Sequence, residues 1–217
     1  MRQSGIDLSS ECDPDEIEAL KQAITMAPPN GDALELGTAA GGTLKELIKF
    51  SKSLEKNYRF HVIDPMTYYP DQLGKVKRNL KSAEINPDEV DFFVGTSDGF
   101  LKSSYFQDLS LSFVFIDGDH RAYPVMKDLR ILRNLTEGGI ACFHDYKAQF
   151  PGVIWSLDYF LKKNPNYQYI SKQNSLFTIK KIKSNDNAEV EMPDLIRSKI
   201  FQYHNKYKRS IIKRIKK

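Results

Sequence analysis

The feature that most constrains the fold is a regular alternation along the chain of short apolar runs and longer amphipathic segments. The short runs are typical of buried strands, and the segments between them repeat their apolar residues at helical spacing. Strands that alternate with helices favour βαβ units, and therefore an α/β protein with a doubly wound, mostly parallel sheet. The last two strand candidates are close enough in sequence to form an antiparallel pair. Seven strands are predicted, at residues 33–36, 58–63, 90–94, 111–116, 140–143, 167–171 and 176–182.

The helices between these strands are predicted from their caps and their spacing. The first is the best defined, because Asp13 is a suitable N-cap, Pro14 occupies the first helical position and Glu16 completes a capping box. Gly138 and Gly139 are expected to end the helix before the fifth strand. Further helices are predicted at about 43–53, 71–83, 123–135 and 155–163.

The composition restricts the class of protein. Hydrophobic residues make up 41% of the 217 positions and charged residues 28%, which excludes a disordered chain and a membrane-embedded one. No apolar run is long enough to span a bilayer, and the N-terminus lacks the apolar stretch of a signal peptide. Two cysteines, Cys12 and Cys142, cannot form a disulfide framework and fit a reducing compartment. We therefore expect a cytoplasmic protein.

The formal net charge of +4 is unevenly distributed along the chain. Nine basic residues and no acidic one follow Asp194, so residues 1–194 together carry a charge of −5. We therefore divide the chain into a domain at 1–183, a polar linker at 184–193 and a basic amphipathic helical tail at 194–217. The apolar positions of the tail recur near a spacing of four, at Ile196, Ile200, Tyr203 or His204, Tyr207, Ile211 and Ile215.

Four roles suit such a tail. A basic amphipathic helix can lie on the anionic inner membrane surface, bind nucleic acid, or pack on a neighbouring subunit of a homo-oligomer. Its apolar stripe can also dock on the domain while its cations face water. A nucleic-acid-binding module acting through the tail is the alternative to an enzyme. We expect no nucleic-acid partner, because the residues suited to chemistry lie in the acidic domain.

Ligand-binding residues are expected directly after each strand, because open α/β sheets bind ligands beyond the carboxyl ends of their strands. Gly37 and Gly41 follow the first strand and allow a sharp turn, after which a helix N-terminus offers free N–H groups. Ala39 stands where a dinucleotide-binding fingerprint has its second glycine, which disfavours a nicotinamide-dependent oxidoreductase, the second enzyme alternative. Glu35 would repel a pyrophosphate and suits a cationic ligand group.

The next two strand ends also carry polar residues. Asp64 ends the second strand, and its carboxylate can accept hydrogen bonds from two ribose hydroxyls. Thr96 and Ser97 follow the third strand, where they either contact a purine edge or begin a helix.

The fourth and fifth strands end in acids and histidines. Asp117, Asp119 and His120 follow the fourth strand, and His144 and Asp145 follow the fifth. Neighbouring strand ends lie roughly 5–10 Å apart, so these side chains can converge on one cation or one substrate. Oxygen-rich groups of this kind favour a hard divalent cation such as Mg²⁺, and a solvated polar rim is the alternative.

Together these motifs resemble those of class I S-adenosylmethionine-dependent methyltransferases, and more narrowly those of macrocin-type sugar O-methyltransferases and cephalosporin-hydroxylase-like proteins. The similarity covers about residues 30–180 and implies a Rossmann-like methyltransferase fold with a seven-stranded sheet. The motifs that carry it are Glu35-x-Gly-x-x-x-Gly, Asp64 at the end of the second strand, Ile116-Asp-Gly-Asp-His-x-x-Tyr, and Gly138-Gly followed by His144-Asp145.

The resemblance also implies roles for the matching positions, with S-adenosylmethionine as the cofactor. The implied cofactor-binding residues are Glu35, Gly37, Thr38, Gly41, Thr43, Asp64, Thr96, Ser97 and Asp117. The implied catalytic residues are Asp117, His120 and His144, and the implied metal ligands are Asp117, His144 and Asp145.

His144 departs from the pattern of the metal-dependent relatives, which carry paired carboxyl or carboxyl–amide ligands at this strand end. An imidazole is a softer ligand than Mg²⁺ prefers, so a second base or a substrate contact is the alternative role for His144. The implied reaction is methylation of a hydroxyl on a small-molecule or glycosidic acceptor. Mg²⁺ or another divalent cation would lower the pKa of that hydroxyl, and His120 would remove its proton. A metal-free transferase that uses His120 or His144 is the alternative mechanism.

Overall fold

The structure is a computed structural model that describes residues 10–184 and 189–215, with side chains described as far as residue 208. The strands are β1 (Asp32–Leu36), β2 (Phe60–Asp64), β3 (Val90–Val94), β4 (Leu111–Ile116), β5 (Leu135–Phe143), β6 (Tyr167–Gln173) and β7 (Leu176–Lys181). The helices are α1 (Pro14–Met26), α2 (Gly42–Ser53), α3 (Gln72–Ser82), α4 (Ser97–Phe100), α5 (Ser104–Gln107), α6 (Ala122–Asp128), α7 (Pro151–Lys163) and α8 (Met192–Ile215). Two 3₁₀ turns lie at Pro87–Glu89 and Leu129–Asn134.

The seven strands form one sheet in the order β3-β2-β1-β4-β5-β7-β6. Strands β1 to β5 pair in parallel, whereas β7 pairs antiparallel with both β5 and β6. This confirms the predicted α/β architecture with an antiparallel final strand pair. Because β1 lies between β2 and β4, the strand order reverses beside it and opens a crevice at the carboxyl ends.

The strands face two separate hydrophobic layers, as expected for a sheet covered on both sides. Leu34 and Val114 pack with α6, α7 and the start of α8, whereas Ala33 and Phe113 pack with α1, α2 and α3. Successive strand residues point to opposite faces, so the alternation in sequence places both layers of helices.

Two predicted boundaries are wrong around the fifth strand. The helix predicted at 123–135 ends at Asp128, and a 3₁₀ turn replaces its second half. Gly138 and Gly139 do not precede the strand but lie inside β5, which begins at Leu135. The register with β4 shifts across this segment and Gly138 has a φ of +82°, so the glycines form an irregularity that extends the strand.

The residues predicted as a polar linker are partly buried. Glu189 lies 3.1 Å from Lys181 with both side chains inside the protein, and it accepts a hydrogen bond from Tyr167 at 3.1 Å. Residues 185–188 lie outside the described part of the chain. The division into domain, linker and tail therefore stays a prediction. Near its C-terminal end, the predicted linker is held against the domain by Glu189.

The tail is helical from Met192, two residues earlier than predicted, and packs against α6 and α7. The predicted apolar stripe does not dock on the domain in the described residues, because Ile196, Ile200, Tyr203 and Tyr207 are all exposed. The opposite side of α8 packs on the domain instead. No helix among the described residues is long and apolar enough to cross a membrane.

Candidate active site

A cavity of about 910 Å³ opens at the carboxyl ends of β1, β2, β4 and β5. Main-chain hydrogen bonds continue the sheet past the strand ends, from Asp117 N to Leu36 O and from His144 N to Ile116 O. The topology therefore brings together residues that lie more than a hundred positions apart. All predicted site residues except Gly41 line this cavity: Glu35, Gly37, Thr38, Thr43, Asp64, Thr96, Ser97, Asp117, His120, His144 and Asp145.

The two glycines of the first loop are required by backbone geometry. Gly37 has a φ of +82°, and a Cβ there would lie 2.0 Å from the carbonyl oxygen of Asp117. Gly41 has a φ of +80° and is the N-cap of α2, tight against Val76. Gly37 thus lets β1 and β4 approach each other at the cavity. Gly41 shapes the turn before α2 but does not line the cavity.

Glu35 is buried in β1, and neither of its carboxylate oxygens has a hydrogen-bond partner among the described residues. Burial raises the pKa of Glu35 to about 8; the nearby side chain of Thr38 opposes this shift, and the charges of Asp117 and Asp64 add to it. The hydroxyl of Thr38, on the adjoining loop, is also buried without a partner. Buried polar groups are normally satisfied, so these atoms fit a ligand that brings a positive charge and hydrogen-bond donors.

Asp64 connects the loops that follow β1 and β2. Its carboxylate accepts hydrogen bonds from Thr38 N at 3.0 Å, Met66 N at 2.6 Å and Gln72 Nε2 at 3.2 Å. A carboxylate has about four acceptor positions, so these contacts leave room for one further donor from the cavity. Asp64 therefore orders the loops, and its contact with a ribose stays a prediction.

The loop after β3 begins a short helix, and its side chains are engaged within the protein. Thr96 is the N-cap of α4, and Ser97 donates a hydrogen bond to Asp128. Burial raises the pKa of Asp128 to about 7; the hydrogen bond from Ser97 opposes this shift, and the charge of Asp119 adds to it. Asp128 lines the cavity and was missed in the sequence, because it occurs as an ordinary acid near the end of an amphipathic helix.

His120 is positioned by an acid and an aromatic ring. Its Nε2 lies 2.6 Å from Asp145 Oδ2, and the imidazole stacks on Phe150 with 4.1 Å between ring centroids. Lys147 pairs with the other oxygen of Asp145 at 2.5 Å. The His120 side chain is 39% exposed at the cavity, so the pair combines a fixed ring with access to a ligand.

His144 lies between two carboxylates. Its Nδ1 is 3.2 Å from Asp117, and its Nε2 is 3.1 Å from Glu16. Burial favours the neutral ring, but hydrogen bonds and charges, chiefly those of Asp117, outweigh it and raise the pKa of His144 to about 11. Glu16 is held by the backbone N–H and hydroxyl of Ser175 at 2.9 and 2.8 Å. The sequence indicated Glu16 only as part of a capping box, which the structure also contains.

Two groups of side chains have the spacing of metal ligands within the described residues. One consists of Asp117, His120 and Asp145, and the other of Cys12, Glu16 and His144; in each, the ligand atoms lie within 4.8 Å of one another. The predicted ligand set named His144 with the two aspartates. The metal site stays a prediction, and the structure adds His120 as a third donor for it.

A known protein family matches the part of the chain that contains these strand ends. Residues 34–146, more than half of the chain, match the profile of the family described as a methyltransferase domain. The chain belongs to this family of methyltransferases. Family membership favours methyl transfer over the nicotinamide-dependent oxidoreductase considered from the sequence. A comparison with curated proteins finds no match.

Solved structures share the fold at low sequence identity. A TDP-rhamnose 3′-O-methyltransferase of calicheamicin biosynthesis is 15% identical with a TM-score of 0.61, over 76% of this chain and 77% of that one. An O-methyltransferase from Bacillus cereus, in complex with SAH, is 15% identical with a TM-score of 0.61, over 80% and 83%. An rRNA methylase from Streptococcus thermophilus is 12% identical with a TM-score of 0.58, over 80% and 100%. These likenesses confirm the Rossmann-like methyltransferase fold.

Proposed function

We propose that this chain transfers a methyl group from S-adenosylmethionine to a hydroxyl of a small-molecule or sugar acceptor, with assistance from Mg²⁺ or another divalent cation. The observation that carries the proposal is the meeting of an unpaired buried acid, Glu35, with the His120–Asp145 pair in one cavity. Two of the structures with this fold are named as O-methyltransferases, one of them acting on TDP-rhamnose. A narrower relation to macrocin-type sugar O-methyltransferases is part of the proposal.

The cofactor would be held along the first three strand ends. Glu35 would offer a carboxylate to the ammonium of the methionine portion, and the N-terminus of α2 would offer N–H groups to the methionine carboxylate. Asp64 would bind the ribose, and Thr96 and Ser97 would lie beside the adenine. When bound, S-adenosylmethionine supplies an electrophilic methyl group on its sulfonium.

The proposed base is His120. Asp145 fixes the orientation of the ring and stabilises the imidazolium that forms when His120 takes the proton of the acceptor hydroxyl. Stacking on Phe150 restricts the ring further. His144 is a poorer base, because the pKa of about 11 keeps it protonated near neutral pH. Its charge would instead compensate those of Asp117 and Glu16.

A divalent cation would be bound by Asp117 and Asp145, with His120 as a further ligand. His144, the ligand predicted from the sequence, could take part only after losing its proton. Such an ion supplies Lewis-acid polarisation, which lowers the pKa of a hydroxyl bound to it. If His120 is a ligand, it cannot also be the base, so the affinity of the His120→Asn variant for the metal separates the two roles. Carboxylate oxygens suit Mg²⁺ best, and a site that includes an imidazole also suits Mn²⁺ or Zn²⁺.

The test combines cofactor binding with turnover. Calorimetry with S-adenosylhomocysteine measures the first, and release of S-adenosylhomocysteine from S-adenosylmethionine, over a panel of sugar nucleotides and small phenols, measures the second. Each assay is run with added Mg²⁺ and with EDTA. We expect His120→Asn to lower turnover by roughly 10²–10⁴-fold with an unchanged dissociation constant, as is typical for loss of a general base.

His204→Asn is the matched control, because this histidine is exposed on α8 away from the cavity. Asp117→Ala is expected to abolish transfer and to leave S-adenosylhomocysteine affinity nearly intact. No binding of S-adenosylhomocysteine by the wild type would refute the cofactor assignment. Full turnover by His120→Asn would refute the role of the base, and equal turnover in Mg²⁺ and EDTA would refute the metal.

A further inference from the structure

The exposed side of α8 carries a continuous row of apolar and aromatic side chains. Each is between 54% and 69% exposed, although large hydrophobic residues on monomeric surfaces usually occur singly. With about 100° between successive residues, the five positions fall within an arc of roughly 80° on the helix. We call these residues the α8 stripe: Met192, Ile196, Ile200, Tyr203 and Tyr207.

The orientation of the stripe is fixed by the packing of the opposite side of the helix. Leu195 and Ser198 are buried against the domain. The ring of Phe201 stacks on Trp155 with 4.7 Å between centroids, and the side chain of Gln202 accepts a hydrogen bond from the backbone N–H of Tyr123. The helix therefore has a polar and aromatic seat on the domain and turns its most apolar side outward, where no described residue covers it.

Positive charges border the stripe on both edges. Lys199 and Lys206 lie on one side of it by helical position, Lys208 lies on the other, and all three are exposed. The sequence contains no acidic residue after Asp194, so the cations are not balanced within the tail. An apolar band with lysines on both sides of it matches a surface that is apolar inside and anionic at its edge.

We propose that the α8 stripe binds the surface of an anionic lipid bilayer, with the helix lying in the plane of the interface. Isoleucine and methionine side chains would enter the boundary between headgroups and acyl chains, and the tyrosine hydroxyls would stay at the level of the headgroups. The flanking lysines would bind lipid phosphates at the anionic surface. This surface is separate from the cavity, so the proposal does not depend on the proposed methyl transfer.

The charge distribution argues against the other occupants of this face. In a second copy of the chain, the same helix carries the same unbalanced positive charge, so two stripes would meet with lysines opposed. A nucleic acid would use the lysines, but it offers nothing apolar to cover isoleucine and methionine side chains. The bilayer is the partner that satisfies both features at once.

The test is flotation of the full chain with vesicles. One set contains phosphatidylcholine with 30% phosphatidylglycerol, and the other contains phosphatidylcholine alone. The stripe variant combines Ile196→Ser with Ile200→Ser, and the charge variant combines Lys206→Gln with Lys208→Gln. Val94→Ser is the matched control, because Val94 is 56% exposed on another surface of the protein. The circular dichroism spectrum and the thermal midpoint confirm that each variant is folded.

We expect the wild type and Val94→Ser to float with anionic vesicles and to bind neutral vesicles much less. The stripe variant should lose at least about tenfold in partition coefficient, because it removes two apolar side chains from the lipid boundary. The charge variant should lose binding to anionic vesicles only, and added salt should reproduce that loss for the wild type.

Four results would overturn the proposal. Absence of wild-type binding to anionic vesicles removes the bilayer as partner, and equal binding by the stripe variant removes the stripe as its site. If the wild type binds a DNA duplex in a salt-sensitive way but does not bind vesicles, and the stripe variant still binds the duplex, the partner of the tail is nucleic acid. A dimer in sedimentation equilibrium that the stripe variant dissolves, without vesicle binding, would assign the stripe to a second copy of the chain.

Discussion

Replacing the buried acid in β1 by its amide, Glu35→Gln, should make the ligand-free protein more stable at alkaline pH. The pKa of this carboxyl rises from its ordinary value of 4.5 to about 8, mainly through burial. As pH rises, the unfolded chain therefore loses the Glu35 proton at a lower pH than the folded protein does. The wild-type fold keeps its full stability below about pH 4.5 and loses it progressively up to about pH 8.

The size of the effect follows from the pKa values. Each pKa unit corresponds to about 1.4 kcal/mol, so the ionised Glu35 carboxylate costs the fold up to ~5 kcal/mol above pH 8. Glutamine stays neutral at every pH. The free energy of unfolding of Glu35→Gln should equal that of the wild type near pH 4, and above about pH 5 the advantage of the variant should grow by ~1.4 kcal/mol per pH unit before it levels off near pH 8.

The measurement is urea denaturation of both proteins at several pH values between 5 and 9, without cofactor. Glu18→Gln, at an exposed position of α1, is the control and should show no such divergence. Calorimetry should also show weaker binding of S-adenosylhomocysteine by Glu35→Gln, because the amide offers no charge to the ammonium. A stability difference that is flat between pH 5 and 9, or a variant that is less stable at pH 9, would refute the burial of an unpaired carboxyl.

Three further substitutions test other parts of the site and fold. Asp145→Asn should reduce methyl transfer by about 10²-fold or more with little change in cofactor affinity, measured by turnover and calorimetry, because it removes the acid that orients His120. Gly37→Ala should lower the thermal midpoint by several degrees and weaken cofactor binding, since a Cβ there would lie 2.0 Å from a main-chain oxygen and the residue has a φ of +82°. Glu189→Gln should destabilise the protein by about 3 kcal/mol in urea denaturation, because it leaves the buried ammonium of Lys181 without its counter-charge.

Each of these has a contrary result. Asp145→Asn with unchanged turnover would show that the acid does not support the base. Wild-type stability of Gly37→Ala would show that the loop can relax away from β4, and wild-type stability of Glu189→Gln would show that the buried pair contributes nothing to the fold.

The order of strands and helices could be predicted because it depends on local patterns. The apolar run of β4 and the capping box at Asp13 and Glu16 are recognisable without any tertiary contact, and both elements appear in the structure. The end of the helix before β5 was not predictable in this way. Gly138 and Gly139 are typical helix terminators, and only the pairing of Leu135 and Ile140 on either side of them with β4 makes them part of a strand.

Some residues of the candidate site could likewise be predicted from the sequence, whereas others could not. The carboxyl end of a strand is a position in the sequence, so Asp117, His120 and Asp145 could be selected from sequence position alone. Glu16, the partner of His144, could not be selected, because it lies on a helix 128 residues earlier in the chain. Nothing near Glu16 in the sequence distinguishes this contact from simple helix capping.

The sequence by itself determined the fold class, the position of the cavity at the strand ends and the basic character of the tail, since these follow from periodicity and charge. The tertiary structure alone decided the protonation of the site and the outward direction of the α8 stripe. A pKa depends on what surrounds a group in space, and burial without a partner is what sets Glu35 apart. Likewise an apolar stripe shows which side of a helix avoids water, whereas only packing shows whether the domain or another surface covers it.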